Sequence, residues 1–161
     1  MINNNLYDAL VAIYGTTDLQ ILEKNQTFVY GDTTGTPLDS SIPLITYFEE
    51  AKRPVQKGDK FIQGNDVDGY NYLYNTRYFI DVRIDLFGEG AEDRAERLVE
   101  VLNNNEDYFI EQQLGILGYG AIENLTFLEN AEYTNRFAIS IKIDYTLTRE
   151  AETGYRVTQG S

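Results

Sequence analysis

Between Tyr72 and Phe87 the chain alternates: Tyr72, Tyr74, Thr76, Tyr78, Ile80, Val82, Ile84 and Leu86 take every second position, with Asn75, Arg77, Asp81, Arg83 and Asp85 between them. A period of two puts the two sets on opposite sides of a pleat, so this run specifies a long β-strand with one buried face. Leu73, Phe79 and Phe87 belong to the intervening set, so the second face is only partly polar. Further on, Phe137, Ile139, Ile141, Ile143, Tyr145 and Leu147 alternate with Arg136, Ala138, Ser140, Lys142, Asp144 and Thr146, the pattern of an antiparallel strand with one solvated side.

These strands are long for their chain. At 161 residues the chain is one domain's worth. Its radius of gyration should be roughly 15 Å and its diameter about 40 Å. An extended run from Tyr72 to Phe87 would reach about 50 Å. Either the strands bend at bulges, for which Asn75 and Asn135 are candidates, or they project as a hairpin beyond the body. A projecting hairpin exposes unpaired strand edges, so association with further copies is expected.

The rest of the chain supplies helices and short strands. Ile2, Leu6, Ala9, Leu10 and Ile13 lie on one helical stripe, giving a first helix over about residues 5–14, with Asn3 to Asn5 as caps and Gly15 as its stop. Residues 26–30 have the composition of a short strand, residues 31–37 that of a turn-rich loop, and residues 42–50 that of a strand with Pro43 near its start. Residues 51–69 are polar and predict a long loop or hairpin tip. Gly88-Glu89-Gly90 ends the long strand and opens a helix whose stripe is Ala91, Ala95, Leu98, Val99 and Leu102, with Asp93 placed to pair with Arg97. Tyr108 to Leu114 predicts a short third helix, Gly115, Gly118 and Gly120 a loop, and Leu125 with Phe127 a strand. The expected fold is α+β: an antiparallel sheet of about four to five strands, two to three helices packed on it and a long projecting hairpin. Residues 1–149 form the domain and residues 150–161 a flexible polar tail.

Composition limits the chemistry. With Cys 0, His 0 and Trp 0, the chain cannot build a thiolate nucleophile, a Ser–His couple or a zinc site of sulfur and imidazole. Lys plus Arg is 13 and Asp plus Glu 26, a net charge of −13 that argues against general binding to phosphate backbones. No cationic stretch precedes an apolar run at the N-terminus and no segment reaches the ~18 apolar residues of a membrane span, so a soluble, unexported protein is expected.

Each motif that could carry chemistry has a plainer explanation. Gly88-Glu89-Gly90 lies where a phosphate loop would, yet Asp93 replaces the third glycine and the neighbouring acids would repel a phosphate; a turn with acidic capping accounts for it. Asn65 to Gly69 has the look of a calcium loop, but counting from Gly69 puts Gly64 first and Asn75 last, where a Glu is required; a β-turn accounts for it. Asp81 with Asp85, and Glu92 with Glu96 and Glu100, share faces as an acid/base pair would, and solvated charge explains them equally. No catalytic residue, cofactor or metal is expected. Lys52, Arg53, Lys57 and Lys60 gather cations in an acidic chain, either to meet an acidic surface such as a neighbouring subunit or simply as a solvated loop. With Tyr72 and Tyr74 they are the candidate interface residues.

Several local words carry a resemblance. Glu23-Lys24-Asn25-Gln26, Pro43-Leu44-Ile45-Thr46-Tyr47, the strand ending Val82-Arg83-Ile84-Asp85-Leu86-Phe87-Gly88, the helix opening Ala91-Glu92-Asp93-Arg94-Ala95-Glu96-Arg97-Leu98, and Asn135-Arg136-Phe137-Ala138-Ile139-Ser140-Ile141-Lys142-Ile143 together resemble the tail terminator (neck terminator) proteins of tailed bacteriophages over residues 20–150. The resemblance implies a non-enzymatic virion protein, made in the host cytoplasm, whose copies form a ring, typically a hexamer. That ring caps the tail tube protein and joins it to the neck and connector proteins, and DNA passes through without specific binding. A negative bore would keep the genome from sticking in transit. Competing expectations are a head-completion or other neck protein, an acidic DNA-mimic inhibitor of a nuclease, and a carboxylate-dependent hydrolase.

Overall fold

The computed structural model describes residues 2–23, 41–55, 59–66, 69–126 and 135–151. In chain order these form α1 (Ile2–Tyr14), β1 (Gln20–Glu23), β2 (Leu44–Pro54), β3 (Asp59–Asp66), β4 (Gly69–Phe87), α2 (Ala91–Asn103), a single 3-10 turn (Ile110–Gln112), β5 (Gly115–Tyr119), β6 (Glu123–Asn124) and β7 (Arg136–Ala151). The strand expected at residues 26–30, the loop at 31–37, Lys57, Phe127, the centre of the turn at 65–69 and the tail beyond Ala151 lie outside the described residues.

Both long alternations form strands, and they pair with each other. β4 and β7 run antiparallel from Tyr72 opposite Ala151 to Phe87 opposite Arg136 without a register shift. The pairs Ile80–Ile143, Val82–Ile141 and Ile84–Ile139 set apolar side chains against each other, and all six residues are buried. β2 lies antiparallel on the other side of β4, and β1 adds to β2 in parallel. The sheet order is β1-β2-β4-β7-β5, with β3 also pairing β4 and β6 pairing β7. Five strands thus lie along the main path and seven in the described sheet, more than the four to five expected, and one pairing is parallel.

The helices cover one face of this sheet. Ile2, Leu6, Ala9 and Leu10 of α1 and Ala91, Ala95, Leu98, Val101 and Leu102 of α2 share one core with Ile45, Tyr47, Val82, Ile84, Ile139 and Ile141. Each such fully buried aliphatic side chain is worth roughly 1.5–3 kcal/mol relative to exposure. In the α2 stripe Val99 is half-buried, while Val101 is fully packed. Tyr14 locks the two helices together by donating its hydroxyl to the Arg94 carbonyl at 2.5 Å. Burial holds that phenol well above its ordinary value, so it remains a donor at any working pH.

Several expectations need correction. α1 begins at Ile2, so Asn4 and Asn5 lie inside it rather than capping it, and Asn5 instead bonds the Gln112 carbonyl at 2.9 Å. The third helix is only the 3-10 turn, halted where Gln113 takes φ 61. The glycine loop is strand β5, whose register shifts between Ile116 and Gly118; glycine here marks a bulge, not a chain reversal. Asn75 and Asn135 mark no bulge; the shifts fall at Glu49/Ala51, Gln63/Asp66 and Ile116/Gly118. The polar stretch 51–69 is largely strand: Ala51 to Pro54 continue β2, and β3 pairs β4 from Asp59 opposite Asn75 to Asp66 opposite Gly69. Arg97 pairs with Glu106 at 2.9 Å and Glu100 at 3.6 Å rather than Asp93, because the turn after α2 brings Glu106 within reach.

Candidate subunit interface

With its 19 residues, β4 spans about 60 Å at the usual rise, while each 13-residue helix covers only about 20 Å. Among its described side chains, full burial begins at Ile80; Asn75 to Phe79 are half-exposed. The strands therefore outrun the two described helices at the end where β3, β4 and the last part of β7 run together.

The chain itself pairs β4 on both sides: β3 and then β2 on one, β7 on the other. The expectation of unpaired strand edges therefore fails for β4. β7 is different. Its outer side carries β6 at Phe137 and Ala138 and β5 from Ile141 to Asp144, and no strand partner beyond Asp144 among the described residues.

Charge on this arm is arranged in pairs and stacks. Arg77 clasps Asp144 with two bonds, Nε at 2.9 Å and Nη2 at 2.6 Å, and lies over the Phe79 ring at 5.4 Å. The bond to Arg77 holds the Asp144 carboxyl below its usual range, outweighing partial desolvation. A carboxyl depressed in the folded state contributes stability above its unfolded value, lost as pH falls through the folded one. Asp144→Asn should therefore be less stable than the parent above the ordinary carboxyl value of 3.8, with the gap closing as pH falls below it, in urea unfolding at stepped pH. A gap independent of pH would show that the pair contributes nothing through charge.

The sheet face away from the helices carries a second arrangement. Asp85, only 1% exposed, lies between Thr46 of β2 and Ala138 of β7. Arg83 Nε bonds its two oxygens at 3.3 and 3.2 Å, and Arg136 Nη2 stands 3.6 Å away. The Arg136 guanidinium stacks over Phe87 at 5.3 Å, and its buried Nε has no hydrogen-bond partner in the described structure. A cleft of about 490 Å³ opens beside the β5 bulge, lined by Glu50, Asp81, Ser140 and Lys142 with Leu117 and Tyr119 exposed at its rim.

The candidate residues fall along the arm. Lys52 and Arg53 are exposed on β2, and Lys52 Nζ sits 4.6 Å over the Tyr78 ring. Lys60 on β3 is in register with Tyr74, which is in turn opposite Arg149 of β7; Tyr72 is opposite Ile62 and Ala151. Lys60, Tyr72 and Tyr74 thus share one stretch of ribbon, with Lys52 and Arg53 farther along the same side of β4. The Arg83–Asp85–Arg136 cluster escaped sequence reasoning. Its only signal was that three charges sit at alternate positions in strands whose neighbours are apolar.

The possible carboxylate pairs separate. Asp85 is tied to two arginines, Asp81 lines the cleft, and Glu92, Glu96 and Glu100 are exposed along α2. Among the described residues no group of three acidic residues is placed to hold a metal. Gly88 and Gly90 take φ 94 and 78, and the Ala91 N–H bonds the Gly88 carbonyl at 3.2 Å, so this segment makes the sharp turn that starts α2. No helix of the described residues is long and apolar enough to cross a membrane.

The described residues thus form one sheet with helices packed on one face and a ribbon of β3, β4 and β7 running on at one end. Residues 4–160 match the family model of the phage neck terminator protein, and the chain belongs to that family. The family is a structural one of the virus neck and tail. A comparison with curated proteins gives no match.

Proposed function

We propose that this chain is the subunit of a homo-oligomeric ring, six copies round, that caps the phage tail tube, joins it to the neck and lets DNA pass through its centre. The observation that carries the reading is the ribbon of β3, β4 and β7, which in a member of the neck terminator family runs well past the helices packed on the sheet. Its partners are then the tail tube protein, the neck and connector proteins and its own copies, first in the host cytoplasm and finally in the virion. On this reading the ribbon is the projecting hairpin, and Lys52, Arg53, Lys57, Lys60, Tyr72 and Tyr74 contribute contacts between subunits. Cations on an arm suit an acidic neighbour, and the parent charge of −13 supplies one in every copy.

The test is electron microscopy of the purified chain mixed with tail tubes. Annular particles seated on tube ends are expected. Particles that ignore the tubes, with the tube ends left bare, would count against the capping role.

A further inference from the structure

We infer that neighbouring copies join by strand pairing, the outer edge of β7 beyond Asp144 meeting the outer edge of β3 in the next copy. This rests on the ring reading and says how such a ring closes. β3 and β7 flank β4 along its far half, and each is antiparallel to it. They therefore run in the same direction and present their free edges on opposite sides of the ribbon, where neither edge has a strand partner among the described residues. Each copy thus carries both halves of one joint, the condition for a head-to-tail ring. Rotation about an axis along the strands preserves their direction, so the new pairing is parallel.

The backbone groups available on β7 can be identified. Ser140 and Arg136 accept bonds through their carbonyls from Gly120 and Leu125, on the side of β5 and β6. Along a strand alternate residues aim their N–H and C=O to the same side, so Thr146 and Thr148 present theirs on that side too. Both are exposed, and Thr146-Leu147-Thr148 holds neither proline nor lysine to discourage pairing.

The size of the result agrees with a DNA conduit. Three strands from each of six copies give 6 × 3 = 18 strands. At about 4.8 Å spacing and about 40° tilt they enclose a backbone cylinder roughly 36 Å across, and side chains leave roughly 25 Å of bore, enough for a duplex.

Thr146→Pro removes one outward N–H, and Thr146→Val keeps it. In mass photometry of the full chain, the valine variant should assemble as the parent does and the proline variant should lose the multimer peak with its far-UV circular dichroism intact. A proline variant that assembles like the parent would overturn the pairing. In case proline disturbs folding, cysteines give a second readout, because the chain has none of its own. Thr146→Cys combined in turn with a cysteine at each position from Asp59 to Gln63 should, in one register, yield a ladder of covalent multimers on oxidation, and Thr146→Cys alone should not. No ladder from any combination, with ring-sized particles still present, would sink the pairing and leave the ring standing. A parent chain that stays single, alone and with tubes, would remove both.

Discussion

Asp85→Ala is expected to lower the free energy of unfolding by about 2–4 kcal/mol, although neither described helix packs on its face of the sheet. The carboxylate is 2% exposed, and the two arginines facing it, Arg83 and Arg136, are 25% and 24% exposed. Removing the anion strands two largely desolvated guanidinium groups close together. Losing one partner of a fully buried pair costs about 3–5 kcal/mol, and the residual solvent access of the arginines lowers that figure. Asp85→Asn keeps an acceptor and should cost less. Combining Asp85→Ala with Arg83→Met should recover part of the loss, since fewer cations are left unpaired. Urea unfolding measures all three; an Asp85→Ala cost below about 1 kcal/mol would mean that the cluster is held open to water.

Ile84→Ala should cost about 3–5 kcal/mol, the upper part of the range for a buried large-to-small change. Ile84 is 0% exposed at the centre of the sheet, paired with Tyr47 on one side and Ile139 on the other, beneath the helices. Tyr47, Ile45, Val82 and Ile141 are buried in the same close-packed core, so the surroundings have little means of collapsing into the space. Ile84→Val removes one methylene and should cost only about 0.5–1.5 kcal/mol. Thermal and urea unfolding of both variants provide the check. Equal costs for alanine and valine would contradict the packing described. A loss of this size approaches the whole stability of a domain at the lower end of the usual ~5–15 kcal/mol.

The parts of the fold legible in the sequence were those fixed by periodicity. Ile80, Val82, Ile84 and Leu86, and facing them Phe137, Ile139, Ile141 and Ile143, declared a face because burial on one side of a strand leaves a period-two trace. Leu6, Leu10, Ala95, Leu98 and Leu102 did so for the helices. What stayed hidden depended on distant partners. Gly115 to Tyr119 reads as a loop because glycine favours turns locally, yet β7 offers it an edge to pair with. Residues 51–69 lack an apolar alternation, and the strand character of their described part shows only in its pairing along β4. Arg97 illustrates the same limit at one side chain, since the turn after α2 decides its partner.

The candidate site was legible to a smaller degree. An arm too long for one globule could be inferred from strand length alone, and the paired β4 corrects which edge is open. Asp85 could not be distinguished from Asp81 by spacing, because both lie on the same side of β4 and only the arginine of β7 separates a buried hub from a rim residue.

The most direct test of the account is mass photometry of the purified, untagged chain over a range of concentrations. The account predicts one dominant particle at an integer multiple of 18.4 kDa, six-fold for the proposed ring. A population that remains at 18.4 kDa at every concentration, with and without tail tubes, would contradict it.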